Sequence, residues 1–142
     1  MVWLPKEKVI APIEGNKSST AAIDAALQIA RRPHDVHVVH VLAPLPVTEP
    51  GVVWGTVDDE SRREHATQAI RDDLTDPKYD AVQIHIEIGD PGRRIAELAE
   101  RIEAELVVIP SHGRTGLSRL MIGSTAERVI RLCHCPVLVL RA

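Results

Sequence analysis

Phenylalanine is absent from this chain, and the other aromatics are only Trp3, Trp54 and Tyr79. A core built without them has to come from Val, Ile, Leu and Ala. The same scarcity argues against a single-stranded nucleic acid binder, which relies on aromatic stacking platforms. Neither sign of charge is in large excess: 17 Lys and Arg stand against 20 Asp and Glu, a net charge of −3. There is no general attraction to nucleic acid or to an anionic membrane, and any basic site must be local. Cysteine is limited to Cys133 and Cys135, spaced C-x-C. That is neither the C-x-x-C redox spacing nor half of a usual zinc site, so two reduced, structural thiols in a cytosolic protein are expected. No apolar run approaches the ~20 residues needed to span a bilayer. Met1 to Lys6 has no signal-peptide apolar region, which makes the cytoplasm the expected location. A P-loop, a G-x-G-x-x-G fingerprint and a G-x-S-x-G elbow are missing too. Ser111-His112 therefore lacks the setting of a hydrolase nucleophile.

What is present describes a globular chain. Of its 142 residues, 44% are hydrophobic and 26% charged, enough for one domain over 1–142 with a real core. Lys8 to Ile13 reads as a short buried strand with Pro12 near its end, where a missing N–H matters least. Glu14 to Ser19 is a turn whose serines can cap the next helix. Ile23, Ala26, Leu27 and Ala30 share one helical face, and Pro33 ends that helix. Val36 to Leu42 is a second strand. Ala43 to Thr56, with three prolines and two glycines, is a loop long enough to suggest a functional role. Asp58 to Leu74 is a second helix. Val82 to Ile88 alternates as a half-exposed edge strand. Asp90 caps a third helix opened by Pro91, and Glu97 and Arg101 are spaced to pair on it. Leu106 to Ile109, apolar throughout, is a central fourth strand, and Val137 to Leu140 a fifth. The order βαβαβαβαβ predicts right-handed crossovers and a doubly wound parallel sheet with helices on both faces. Ligands of such sheets bind beyond the carboxyl ends of the strands, where the strand order reverses.

The stretch from Pro110 to Thr125 lies at that end. It holds three glycines, Arg114, Arg119 and His112, and it runs from a strand into a helix. Backbone N–H groups and the dipole of a helix start favour an anion there, a phosphate above all. Gly113, Gly123, Ser124 and Thr125 would supply the donors. A tight loop and an ordinary cap is the plainer alternative: Ser124-Thr125-Ala126-Glu127 fits an S-x-x-E capping box. Arg114 and Arg119 are either phosphate partners or solvated loop charge. Glu14 is either a ligand contact or a turn residue. His34, His37, His40 and His85 invite a metal site, but no carboxylate or cysteine completes one, and packing or surface roles are expected.

Several of these motifs together resemble the universal stress proteins, over essentially the whole chain. They are Val9-Ile10-Ala11-Pro12-Ile13-Glu14-Gly15, Gly89-Asp90-Pro91, Ser111-His112-Gly113-Arg114-Thr115-Gly116, Gly123-Ser124-Thr125-Ala126-Glu127-Arg128-Val129 and Cys135-Pro136-Val137-Leu138-Val139. The resemblance implies a five-stranded Rossmann-like parallel sheet in the order 3-2-1-4-5. It also implies a homodimer in which Val137 to Leu140 pairs antiparallel with its twin. The nucleotide-binding branch of the family carries G-x-x-G, nine residues, then G-[S/T]. Gly113, Gly123 and Ser124 keep that spacing, Pro110 stands at the first glycine, and Glu14 stands where that branch usually has Asp. The ligand implied is ATP, or AMP or ADP, with or without Mg²⁺, and slow hydrolysis at most, since no general base is evident. The contacts implied are Pro12, Ile13, Glu14, Val41, Pro110, Gly113, Arg114, Gly123, Ser124 and Thr125. The alternative is a nucleotide-independent dimer acting through protein contacts.

Overall fold

β-Branched runs bounded by Gly, Pro and Asp set the element boundaries. A computed structural model describes residues 2–14, 20–45, 58–111 and 122–141 of the chain. The strands are β1 (Val9–Ile13), β2 (Val36–Leu42), β3 (Gln83–Ile88), β4 (Leu106–Pro110) and β5 (Val137–Leu140). The helices are α1 (Ala21–Ile29), α2 (Asp59–Asp73), α3 (Pro91–Ile102) and α4 (Ser124–Leu132). All strand pairs are parallel, in the order β3-β2-β1-β4-β5. This is the doubly wound α/β sheet expected, with β3 at one edge and β5 at the other.

The sheet has an apolar layer on each face. Val9, Ala11, Val36, Val38, Leu106 and Val108 meet Ala22, Ile23 and Ala26 of α1 and Ile70 of α2. Ile10, Val39, Val107 and Ile109 meet Ile95, Leu98 and Ala99 of α3 and Ala126 and Val129 of α4. Burial on both faces is why these strands read as continuous apolar runs. Asp90 caps α3 as expected, accepting from Arg93 N at 3.0 Å, and Asp58 caps α2, accepting from Ser61 N at 2.6 Å. Gly89, between β3 and that cap, has φ 138°, a conformation that only glycine adopts without strain.

Four local expectations are corrected. The first helix does not run to Pro33. It closes at Ile29 because the chain leaves it to pair with Lys6, with Lys6 N donating to Ile29 O at 3.0 Å and Arg31 N to Lys6 O at 2.8 Å. Its N-cap is Thr20, whose hydroxyl donates to Asp24 at 3.1 Å instead of capping the backbone; Ser18 and Ser19 lie outside the described residues. Arg101 reaches across to Glu87 on β3 at 2.7 Å, leaving Glu97 to pair with Arg94 at 2.8 Å. His34 stands in the turn Pro33–Asp35, not in the strand.

His37 of β2 finds a partner that periodicity does not reveal. Its Nδ1 lies 2.8 Å from Nε2 of His85 on β3, with the rings stacked 5.0 Å apart. His37 is only 7% exposed. Burial lowers its pKa from 6.5 to about 4, helped by His85 and Lys8 and opposed by Asp35. Burial also lowers that of His85, against Glu87 and with Arg101. The unfolded chain therefore binds more protons than the fold between the ordinary and the lowered values, so stability falls as pH drops through that window. The urea midpoint of the wild type should fall from pH 6.5 toward pH 4. The fall should be shallower in His37→Leu/His85→Leu, and parallel profiles would show that the pair does not titrate there.

Candidate functional site

The two central strands lose their shared ladder toward their carboxyl ends. β1 is paired with β2 along its whole length, from Val9 with Val36 to Ile13 with His40. Its register with β4 covers only Val9 with Leu106 and Ile10 with Val107. Proline explains the difference. Val107 N and Ser111 N both donate to β5, to Pro136 O at 3.0 Å and Leu140 O at 2.8 Å. Backbone N–H groups alternate in direction along a strand, so the even-numbered residues of β4 turn theirs toward β1. At Pro110 there is none. Extending the ladder past Ile10 would likewise need the N–H of Pro12. The ladder thus stops where the strand order reverses, which is where such sheets bind ligands.

The start of α4 is fixed beside the end of β4. Gly123 N donates to Ser111 O, and Gly123 O accepts from Glu127 N at 3.0 Å, which makes Gly123 the N-cap. The capping box expected at Ser124 does not form. Ser124 is already the first helical residue, and Glu127 pairs with Arg131 at 2.7 Å. Gly123 has no side chain to cap the helix, so the first-turn N–H groups receive no side-chain cap. Thr125 is half-buried and Ser124 exposed. Ser111, 3% exposed, has a buried hydroxyl with no hydrogen-bond partner among the described residues. Such a group is costly to leave unmet.

The other expected residues that are described stand at or near the carboxyl ends of β1, β2 and β4. Pro12 is buried, Ile13 and Val41 are half-buried at the ends of β1 and β2, and Glu14 is exposed just beyond β1. Pro110 is the last residue of β4, across from Leu140. Gly113, Arg114, Arg119 and His112 lie outside the described residues. Two residues were missed. Ser111 looked like a loop serine, and only its burial singles it out. His40 looked like a spare histidine, but its Nδ1 sits 3.2 Å from Ile13 O and braces the end of β1. Among the described residues no three His, Cys, Asp or Glu side chains converge to hold a metal.

A family model described as the universal stress protein family matches residues 6–141. The chain belongs to the universal stress protein family. Universal stress protein MJ0531 of Methanocaldococcus jannaschii is 34% identical over 139 residues, covering 95% of this chain and 82% of the relative. The solved structure of hypothetical protein MJ0577 aligns with TM-score 0.74 at 20% identity, covering 98% of each chain. A universal stress protein solved in complex with cAMP aligns with TM-score 0.59 at 19% identity, covering 96% of this chain and 98% of that one. At such identities these two structures speak for the fold.

In this universal stress protein the interrupted ladder is the feature most directly traceable to sequence. Restoring both missing donors in Pro12→Ala/Pro110→Ala should let the ladder extend by further bonds. Hydrogen exchange should then show the new amides at positions 12 and 110 protected. Fast exchange at both, in a folded variant, would mean that something other than proline ends the ladder.

Proposed function

We propose that this universal stress protein binds an adenine nucleotide at the seam between β1 and β4. The observation that carries the reading is the meeting of three features at that seam: a ladder that stops short of Pro12 and Pro110, a helix start whose N-cap is a glycine, and a buried hydroxyl with no partner among the described residues. The phosphates would lie against Gly123, Ser124 and Thr125, where N–H groups and the helix dipole favour negative charge. Gly113 and Arg114 would complete that side, and the Ser111 hydroxyl would meet an acceptor there. Pro12, Ile13, Glu14 and Pro110 would line the sugar side, and Val41 the base. ATP is the ligand proposed, with AMP and ADP as lesser occupants. Mg²⁺ would be held by phosphate oxygens and water, as this ion usually is. Another member of the family has been solved with cAMP, which supports a nucleotide in this fold.

The protein is also proposed to act as a homodimer through β5. That strand is an edge of the sheet. Leu138 is 39% exposed on it, and Ile130 and Leu132 of α4 are exposed nearby in the chain. An apolar edge of this kind is normally covered. One observation favours a nucleotide-independent dimer as the second reading: Pro110 removes the backbone donor and the freedom of the glycine that the nucleotide-binding branch has there.

Thermal unfolding with millimolar ATP and Mg²⁺ separates the two. The wild type should be stabilised, by roughly 3 kcal/mol at a hundredfold excess over Kd. Gly123→Val, which fills the space before α4, should lose that shift while remaining folded. A wild type that ignores ATP but is dimeric by light scattering would favour the second reading. Leu138→Asp should yield monomers; a dimer that survives it would place the interface elsewhere.

A further inference from the structure

The starts of α3 and α4 are joined beside the seam, and nothing proposed so far uses that contact. α3 connects β3 to β4 and so crosses β2 and β1, whereas α4 leaves β4 for β5. Both helices pack on the sheet face that carries Ile10 and Val107, the last residues paired across the seam, and they pack against each other. Their adjoining ends meet through three residues. Asp90 Oδ2, which accepts from Arg93 N to cap α3, also lies 3.1 Å from Nε of Arg128 on α4. Gly92, in the first turn of α3, is buried, and the Arg128 side chain lies on its backbone. A Cβ at Gly92 would fall 2.6 Å from Arg128 Cβ, 2.8 Å from Cγ and 2.9 Å from Cδ.

Sterics outweigh charge at this junction. The side chains of Arg128 and Asp90 are 52% and 44% exposed, so their ion pair alone contributes little. The contact at Gly92 involves the stem of the arginine down to its Cβ. That atom is fixed to the α4 backbone and cannot swing aside, so a side chain at position 92 has to push α4 away. Glycine thus sets the spacing of the two helices, and Asp90 directs the arginine across it. Residues three and four apart share a helix face, and helical side chains lean toward the N-terminus. Arg128 therefore lies on the side of Ser124 and Thr125, over the turn that Gly123 opens.

We infer that Arg128, seated on Gly92 and directed by Asp90, is a positioning residue for phosphate recognition. This rests on the nucleotide reading above. Arg128 acts without touching the ligand. It holds the first turn of α4 at a fixed distance from α3, so that the N–H groups of Ser124 and Thr125 meet the phosphates. Adenosine has no phosphate and does not draw on that turn. The junction therefore governs the affinity for the phosphate chain and not that for the nucleoside.

Amide-shift titrations of ¹⁵N-labelled protein with ATP and Mg²⁺, and separately with adenosine, test this in three variants. Arg128→Ala removes the stem, Gly92→Val drives a wedge beneath it, and Arg128→Met keeps the stem without the charge. Arg128→Ala and Gly92→Val should each weaken ATP several-fold and leave adenosine little changed. Arg128→Met should stay close to the wild type for both ligands. Arg128→Ala places a good helix former at an exposed helix position, so it decides the matter even if the wedge is not tolerated. Equal weakening of ATP and adenosine would make the contact merely structural and overturn the inference. So would Arg128→Met as weak for ATP as Arg128→Ala, which would assign the effect to charge. A wild type that binds ATP, with variants that bind it as tightly, overturns this inference alone. A wild type that binds no ATP overturns the nucleotide reading and this inference with it.

Discussion

The structure turns on two prolines that cannot complete a ladder. β1 and β4 are central strands, each flanked on its other side by a partner in full register. Between them the register stops after Ile10, because Pro12 and Pro110 carry no N–H to continue it. A parallel sheet normally gains from every further bond along such a pair. Here the chain forgoes those bonds at the one place where the connections on either side diverge. The interruption of the ladder is therefore built into covalent structure and does not depend on side-chain positions.

The rest of the fold fixes the strands around that interruption. Apolar layers on both faces fix β1 and β4 below the seam, through Val9, Ala11, Leu106 and Val108 on one side and Ile10 and Val107 on the other. His40 holds the last carbonyl of β1. Ser111 ties the end of β4 to β5 through its N–H and to the start of α4 through its carbonyl. One residue thereby links the end of β4 to the start of α4. With Gly123 as N-cap, no side chain at that position meets the first-turn donors of α4.

Much of this was legible in sequence, and the failures have physical causes. The strands and helices were readable because burial on two faces imposes long apolar runs and helical periodicity, so even β3 at the edge was recognisable from its alternation. What periodicity cannot show is which residues meet across strands. Arg101 and Glu87, or His37 and His85, are distant in sequence and adjacent only after folding. The capping box failed because S-x-x-E is satisfied by spacing alone, whereas the true cap was decided by Gly123 bonding to Ser111 and Glu127. Pro110 was legible as a departure from the glycine of the nucleotide-binding branch; that it shares with Pro12 the end of the β1–β4 ladder appears only in the fold. Gly113 and Arg114 were legible as a motif, but they lie outside the described residues.

The central claim is that a nucleotide enters this seam. Titration of the ¹⁵N-labelled protein with ATP and Mg²⁺ tests it most directly by reporting where binding is felt. The account predicts the largest amide shifts at Ser111, Gly123, Ser124 and Thr125, with smaller ones at Ile13 and Glu14 and little change along β3. Saturable shifts confined to another surface, or none at millimolar ATP, would contradict it.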